Sequence, residues 1–144
     1  MSLRPSDMKA SDMKVGDSRV EVIVEDLKRT QIVMYAGASG DYNPLHTDEK
    51  FTKEVAGYPS VFAHGMLTMG MTGRVLTDWV GDGRLTKYGV RFTKQVFPGD
   101  TLTTTATVEA IRQEGGTSFA DFTVSTRNQD GDEVVSGYAS ARLD

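Results

Sequence analysis

The second half of the chain has a hydrophobic period of two, the pattern of half-buried β-strands. Tyr88, Val90 and Phe92 show it clearly, because they alternate with polar or small residues. Segments with this alternation begin near residues 85, 102, 120 and 135. Turn sequences separate them, at residues 97–100, 114–116 and 130–131. We therefore predict four antiparallel strands in this half of the chain.

A long buried helix is predicted immediately before these strands. Residues 64–80 place apolar side chains at helical spacing, starting at Leu67. Gly70 and Gly73 interrupt this pattern, and each costs about 1 kcal/mol relative to alanine inside a helix. Glycines at such positions allow close approach, either of a sheet or of a slender ligand, and the pattern alone leaves both interpretations open.

The first third of the chain is less regular. Residues 1–14 contain a polar near-duplication, "SDMKA" and "SDMKV", and are predicted to be a flexible tail before a domain at 15–144. A first strand is predicted at 19–24, with its three valines on one face. A helix is predicted at 27–36, ending before Gly37 and presenting Ile32, Tyr35 and Ala36 inward. A shorter helix is predicted at 48–55.

This order of elements predicts an α+β fold, with one antiparallel sheet wrapped around one central helix. A chain of 144 residues suits a single domain. Such a sheet leaves an unpaired edge, which edge-to-edge dimerisation would protect.

Composition excludes several classes of function. The net charge is −4, without basic runs, so nucleic acid is not an expected partner. Apolar runs are far shorter than the roughly 20 residues of a membrane span, and no signal peptide is evident. The absence of cysteine excludes disulfides and a cysteine nucleophile, and it is consistent with a cytoplasmic protein.

Two short segments concentrate the reactive side chains. "ASGDYNPLH", residues 38–46, contains Asp41, Asn43 and His46, and "AHGML", residues 63–67, contains His64, the other of the two histidines. Pro44 predicts that the first segment is a loop. Asp41 and Asn43 could also be ordinary turn formers, and His64 a structural histidine bonded to main chain. The spacing matches no metal-ligand motif, phosphate-binding loop or nucleophile elbow, so we expect no metal.

These two segments, the glycine-containing helix and the Phe-Pro-Gly-Asp turn together resemble the MaoC-like family of hot-dog-fold hydratases and dehydratases. The similarity is greatest to (R)-specific enoyl-CoA hydratases and to mycobacterial-type (3R)-hydroxyacyl-thioester dehydratase subunits, which are lyases of fatty-acid metabolism. The resemblance implies a single hot-dog domain, no cofactor, and an acyl-CoA or acyl-carrier-protein thioester as substrate. It also implies a homodimer or higher oligomer, with a heterodimer as the alternative.

The resemblance assigns roles to particular residues. Asp41 and His46 would be catalytic and share one water, and the N–H of Gly65 would bind the enolate oxygen at the start of the long helix. The residues expected to contact substrate are Asn43, His64, Met66, Gly70 and Gly73.

Two other functions remain open on sequence. A thioesterase would need a carboxylate on the long helix, where Asp78 is the only one. A non-catalytic acyl-binding or partner subunit would keep the fold alone, and the intact pair of Asp41 and His46 argues against it.

Overall fold

A five-stranded antiparallel sheet and one long helix form most of the molecule, in a computed structural model that describes residues 8–143. The strands are β1 (Ser18–Val24), β2 (Leu85–Phe92), β3 (Leu102–Glu114), β4 (Thr117–Arg127) and β5 (Glu133–Arg142). The helices are α1 (Arg29–Ser39), α2 (Pro44–Thr47), α3 (Glu49–Glu54) and α4 (Gly65–Val80). The strand order is β1-β3-β4-β5-β2, so β1 and β2 are the edges of the sheet. The predicted α+β architecture is confirmed.

The period-two segments form strands because one face of each is buried. In β3, Leu102, Ala106 and Val108 point toward α4 and are fully buried, whereas the threonines on the opposite face of the strand are partly exposed. The predicted turns are present, and Gly115 and Gly116 link β3 to β4 with φ of +57° and +82°. Positive φ at both positions is typical of a type I′ turn, whose twist matches that of the two strands it joins.

Helix α4 packs its apolar stripe onto the inner face of the sheet and begins and ends close to the predicted limits. The same interface contains three buried hydroxyls, of Thr72, Thr104 and Thr126. The Thr126 hydroxyl lies 2.7 Å from each of the other two, so these polar groups satisfy one another inside the core.

Strand β1 departs from the prediction that its valines share one face. Val20 and Val22 are 61% and 53% exposed on the outer face of the sheet. An irregularity between Val22 and Val24 shifts the register, so that Val24 lies opposite the buried Leu102. Ile23 also becomes buried there. A bulge on an edge strand therefore turns its end toward the core.

Helix α1 extends beyond the predicted end at Gly37. Ile32 and Ala36 are buried as predicted, and Tyr35 is half-buried. The helix ends only at Gly40, which has φ of +76° and donates its N–H to the Ala36 carbonyl. The residue that ends the helix is thus the glycine in the left-handed conformation, three positions later.

The segment before β1 packs against the domain where the structure describes it. Met13 is 7% exposed within the hydrophobic core, and Met8 and Ala10 pack against that core. Met13 is thus buried and Met8 and Ala10 are partly buried, so this part of the segment predicted as a tail lies against the domain. Residues 1–7 of that tail lie outside the described residues. Across the described range, no helix has the length and apolarity needed to cross a membrane.

Candidate functional site

The segment containing Asp41 is a short loop followed by one helical turn. Sequence predicted loop throughout, but α2 begins at Pro44, which suits a first helical position because its missing N–H needs no partner there. Asn43 caps this turn, and its Oδ1 accepts from the Leu45 N–H at 3.0 Å. Asp41 Oδ1 accepts from the Asn43 N–H at 3.2 Å. Both side chains are exposed, and they form turns as well as standing in the candidate site.

His46 lies within α2 and is 9% exposed. Its Nδ1 is 2.7 Å from the main-chain carbonyl oxygen of Phe62. A carbonyl can only accept, so Nδ1 carries the proton and Nε2 keeps a free lone pair. In the neutral ring, Nε2 is therefore the nitrogen that can accept a hydrogen bond.

His64 immediately precedes α4 and is 1% exposed. Its Nε2 lies 3.0 Å from the Asp41 main-chain carbonyl oxygen, so Nε2 carries the proton of this ring. The ring stacks on His46, with centroids 3.8 Å apart and planes inclined by 26°. The edge of Tyr35 packs against it at 4.9 Å. The two histidines that are far apart in sequence therefore form one buried pair.

One ligating atom from each of Asp41, His46 and His64 lies within 4.8 Å of the others. Three partners around one water, each about 2.8 Å from its oxygen at tetrahedral angles, lie roughly 4.6 Å apart. The same spacing could hold a metal ion. The structure thus brings together the three side chains that sequence singled out for their chemistry.

The start of α4 lies beside this cluster. The first N–H groups of a helix lack partners within it, and Gly65 is the first residue of α4. The Phe92 ring covers Gly65 so closely that a Cβ there would lie 3.0 Å from Phe92 Cζ. A cavity of about 310 Å³ opens next to Gly65, between the start of α4 and the ends of β2 and β5. Phe62, Phe92, Val96 and Val135 are among the residues that line it.

None of the five predicted substrate-binding residues is among the residues that line this cavity: Asn43, His64, Met66, Gly70 and Gly73. Met66 is 57% exposed, and Gly70 is also exposed, with open space where a Cβ would lie. Gly73 is buried, but a Cβ there would lie 3.0 Å from Tyr88 Cε2. The predicted gap beside Gly73 is therefore filled by a tyrosine ring rather than open to a ligand.

Tyr88 is fixed in this position by a hydrogen bond. Its hydroxyl donates to the Met69 carbonyl of α4 at 2.6 Å, and burial raises the pKa of Tyr88 to about 12. Sequence alternation placed Tyr88 and Phe92 on one face of a strand, but nothing in the pattern showed that each ring would cover a glycine of α4. The Phe62 carbonyl, which fixes His46, has no sequence signal, because every residue has a carbonyl.

Most of the chain resembles known proteins in sequence. Residues 9–129 match the family model of the MaoC like domain. Over 124 residues the chain is 36% identical to the peroxisomal enoyl-CoA hydratase 2 of Arabidopsis thaliana, covering 84% of this chain and 37% of that protein. Over 91 residues it is 41% identical to 3-hydroxyacyl-thioester dehydratase Y of Mycobacterium tuberculosis, covering 61% of this chain and 30% of that one. The chain thus spans about a third of the length of these relatives.

Solved structures agree with the fold. An (R)-hydratase from A. caviae involved in PHA biosynthesis superimposes with a TM-score of 0.82 at 27% identity, over 94% of this chain and all of that one. A protein described as a MaoC-like dehydratase gives a TM-score of 0.85 at 32% identity, over 98% of this chain and 44% of that one.

Proposed function

The chain belongs to the MaoC-like family of hydratases and dehydratases, and from that premise we propose that it reversibly hydrates trans-2-enoyl thioesters to (3R)-3-hydroxyacyl thioesters. The observation that carries the proposal is the cluster of Asp41 and His46 within 4.8 Å, beside the start of α4. Hydration needs a base for water, an acid for the α-carbon and a donor for the enolate oxygen. These three requirements match the groups in the site.

In the proposed reaction, the oxygen of the shared water bonds to C3 of the enoyl thioester while the water loses a proton to the pair of Asp41 and His46. The electrons of the C2–C3 double bond shift toward the thioester carbonyl, whose oxygen takes negative charge. The N–H of Gly65 would stabilise that charge, because the first turn of a helix offers free donors and a favourable dipole. Proton transfer from the pair to C2 completes the addition of water.

We propose water, and no metal or organic cofactor, as the occupant of the cluster. His46 already has the tautomer that leaves Nε2 free to accept from water, and the Asp41 carboxylate has lone pairs beyond the one used by Asn43. Turnover should therefore survive prior treatment with a strong chelator. Loss of activity on chelation, with recovery on adding zinc, would instead assign a metal to this cluster.

A thioesterase acting through a carboxylate on α4 is less well supported. Asp78 is the only carboxylate of that helix, and it lies thirteen residues after Gly65. At 1.5 Å per residue, the two are about 20 Å apart along the axis. Asp78 is also exposed, whereas the cavity lies at the other end of the helix.

The decisive experiment assays the purified protein with enoyl-CoA and hydroxyacyl-CoA substrates, together with Asp41→Ala, His46→Ala and the double variant. Each single variant should retain its circular dichroism spectrum and lose at least a hundredfold in turnover, within the roughly 10²–10⁴ range for acid-base catalysis. Because both residues share one water, the double variant should be little slower than either single one. Near-parental turnover by either single variant would remove this mechanism.

We further propose that the active form is a dimer or higher oligomer. Edge strand β2 has an unpaired side, and Asp41 is exposed in the isolated chain. Exposed apolar side chains lie on or next to the elements that build the site, among them Met34, Tyr42 and Met66. A partner covering them would shield the site and its bound water from bulk solvent. Light scattering at assay concentration tests this, and a fully active monomer would contradict it.

A further inference from the structure

The two segments that hold the candidate site are bonded to each other reciprocally. His46 of the first segment donates Nδ1–H to the carbonyl of Phe62 at 2.7 Å. His64 of the second donates Nε2–H to the carbonyl of Asp41 at 3.0 Å. A main-chain bond from the Phe62 N–H to the Leu45 carbonyl lies between them. Each histidine thus donates its imidazole N–H to a main-chain carbonyl in or next to the other segment.

Asp41 depends on this arrangement more than its neighbours do. It follows Gly40 in an exposed loop, and within the described part of the chain its own N–H and Oδ1 bond only to the nearby Ser39 and Asn43. Among hydrogen bonds in the described part of the chain, the one from His64 ties Asp41 to a distant segment. Without it, the position of the carboxylate would rest on local turn geometry alone.

His64 is a polar side chain whose burial carries a free-energy cost. Its Nδ1 is buried and has no hydrogen-bond partner among the described residues. An unpaired buried nitrogen disfavours folding, so packing alone would be served better by an apolar side chain of similar size. The bond from the other nitrogen to Asp41 explains why a histidine stands at this position.

We propose that His64 is a positioning residue of the reaction. Its Nε2–H fixes the main chain of Asp41, and its ring supports the ring of His46 through the 3.8 Å stack. Because His64 immediately precedes Gly65, it also sets both groups relative to the N–H that would bind the thioester oxygen. This inference rests on the proposed hydratase function and adds a role for a residue outside the water-activating pair.

Three substitutions separate positioning from packing. Glutamine can place an amide N–H near the position of the imidazole Nε2, leucine has comparable size without a donor, and asparagine is too short to reach Asp41. For His64→Leu and His64→Asn we expect kcat to fall about 10–10²-fold with KM within about threefold, since misplacement of reacting groups acts mainly on the chemical step. For His64→Gln we expect kcat within about fivefold of the parent.

The proposal would be overturned if kcat fell equally in His64→Gln, His64→Leu and His64→Asn. It would also be overturned if kcat were unchanged in His64→Leu. If His64→Leu fails to fold, the comparison of asparagine with glutamine still decides the question. A parent protein that hydrates no enoyl-CoA would refute the proposed function, and a spectroscopic measurement then tests His64 independently.

That measurement is a nitrogen-15 NMR spectrum of the imidazole rings in the untagged parent protein, which has only two histidines. We expect the His46 ring to be protonated at Nδ1 and the His64 ring at Nε2. The signals of the ring protonated at Nε2 should be absent from the spectrum of His64→Gln. Assignment of the Nδ1–H tautomer to His64 would overturn the proposal whatever the activity.

Discussion

Replacing Gly65 by proline and by alanine isolates the main-chain donor proposed for the thioester oxygen. Proline removes the N–H, and alanine keeps it. Both add a Cβ, which would lie 3.0 Å from Phe92 Cζ. Phe92 is half-exposed, so its ring can move by the few tenths of an ångström required. Any steric effect of the Cβ is therefore common to the two variants, and the ratio of their turnover rates reports the replacement of the N–H by the proline ring.

The local backbone is compatible with proline at this position. Gly65 is the first residue of α4, where proline is well tolerated because the missing N–H has no partner in the helix. The preceding residue, His64, has φ of −60° and ψ of 136°, within the extended region that a following proline favours. We therefore expect similar circular dichroism spectra and unfolding midpoints for both variants.

The expected loss follows from the value of one oxyanion donor. Removing such a donor costs about 10²–10³ in turnover, or roughly 2.7–4 kcal/mol of transition-state stabilisation. Gly65→Pro should therefore hydrate crotonyl-CoA about 10²–10³ times more slowly than Gly65→Ala, measured as initial loss of enoyl absorbance at saturating substrate. If the two folded variants turn over equally fast, the Gly65 N–H does not bind the thioester oxygen.

Three further predictions concern the contact of Tyr88 with Gly73. Gly73→Ala should destabilise the protein by about 1 kcal/mol, because overpacking against the Tyr88 ring outweighs the gain of about 1 kcal/mol in helix propensity. In a Tyr88→Ala background, where the ring is absent, Gly73→Ala should stabilise the protein. Denaturant titrations measure both changes in unfolding free energy. Tyr88→Ala should raise kcat/KM for long enoyl-CoA chains relative to crotonyl-CoA, whereas Tyr88→Phe, which keeps the ring, should leave that ratio unchanged. The pKa of Tyr88 is raised to about 12 in the folded state. The protonated hydroxyl therefore contributes fully to stability below pH about 10, and this contribution is lost as the pH rises toward 12. The unfolding free energy should decline less between about pH 10 and pH 12 in Tyr88→Phe than in the parent.

The sequence was sufficient to predict elements whose burial follows their own period. The alternation in β3 and the helical spacing in α4 correspond directly to the faces that are buried. Turn chemistry placed the hairpin between β3 and β4, because Gly115 and Gly116 readily adopt positive φ. In each of these cases, local preference and tertiary packing agree.

Prediction failed where a single backbone choice decided the outcome. Both Gly37 and Gly40 could end α1, and only the structure shows that Gly40 takes the left-handed conformation. The bulge after Val22 reverses the side on which Val24 lies, although the run of alternating valines gives no sign of it. Such choices depend on pairing with β3 and on the following loop, which a short sequence window does not contain.

Some features of the candidate site could likewise be predicted from the sequence, and others could not. The unusual concentration of Asp41, His46 and His64 in two short segments was visible in the sequence, and the structure brings these side chains together. The partners that orient the imidazoles are the main-chain carbonyls of Asp41 and Phe62. Side-chain identity does not encode them, so only the fold could show which tautomer each histidine adopts.

The spacing of the helix glycines is explained by the strand beside them. Gly65 and Gly73 are eight residues apart on α4, about 12 Å, and the rings that cover them, Phe92 and Tyr88, are four residues apart on β2, about 13 Å. Two rings on one face of β2 thus contact two glycines on one face of α4. The Tyr88 ring fills the space between β2 and α4 at Gly73, while the cavity of about 310 Å³ remains at the Gly65 end. A thioester held at Gly65 would therefore enter from that end, and Tyr88 would limit how far its acyl chain could extend along α4.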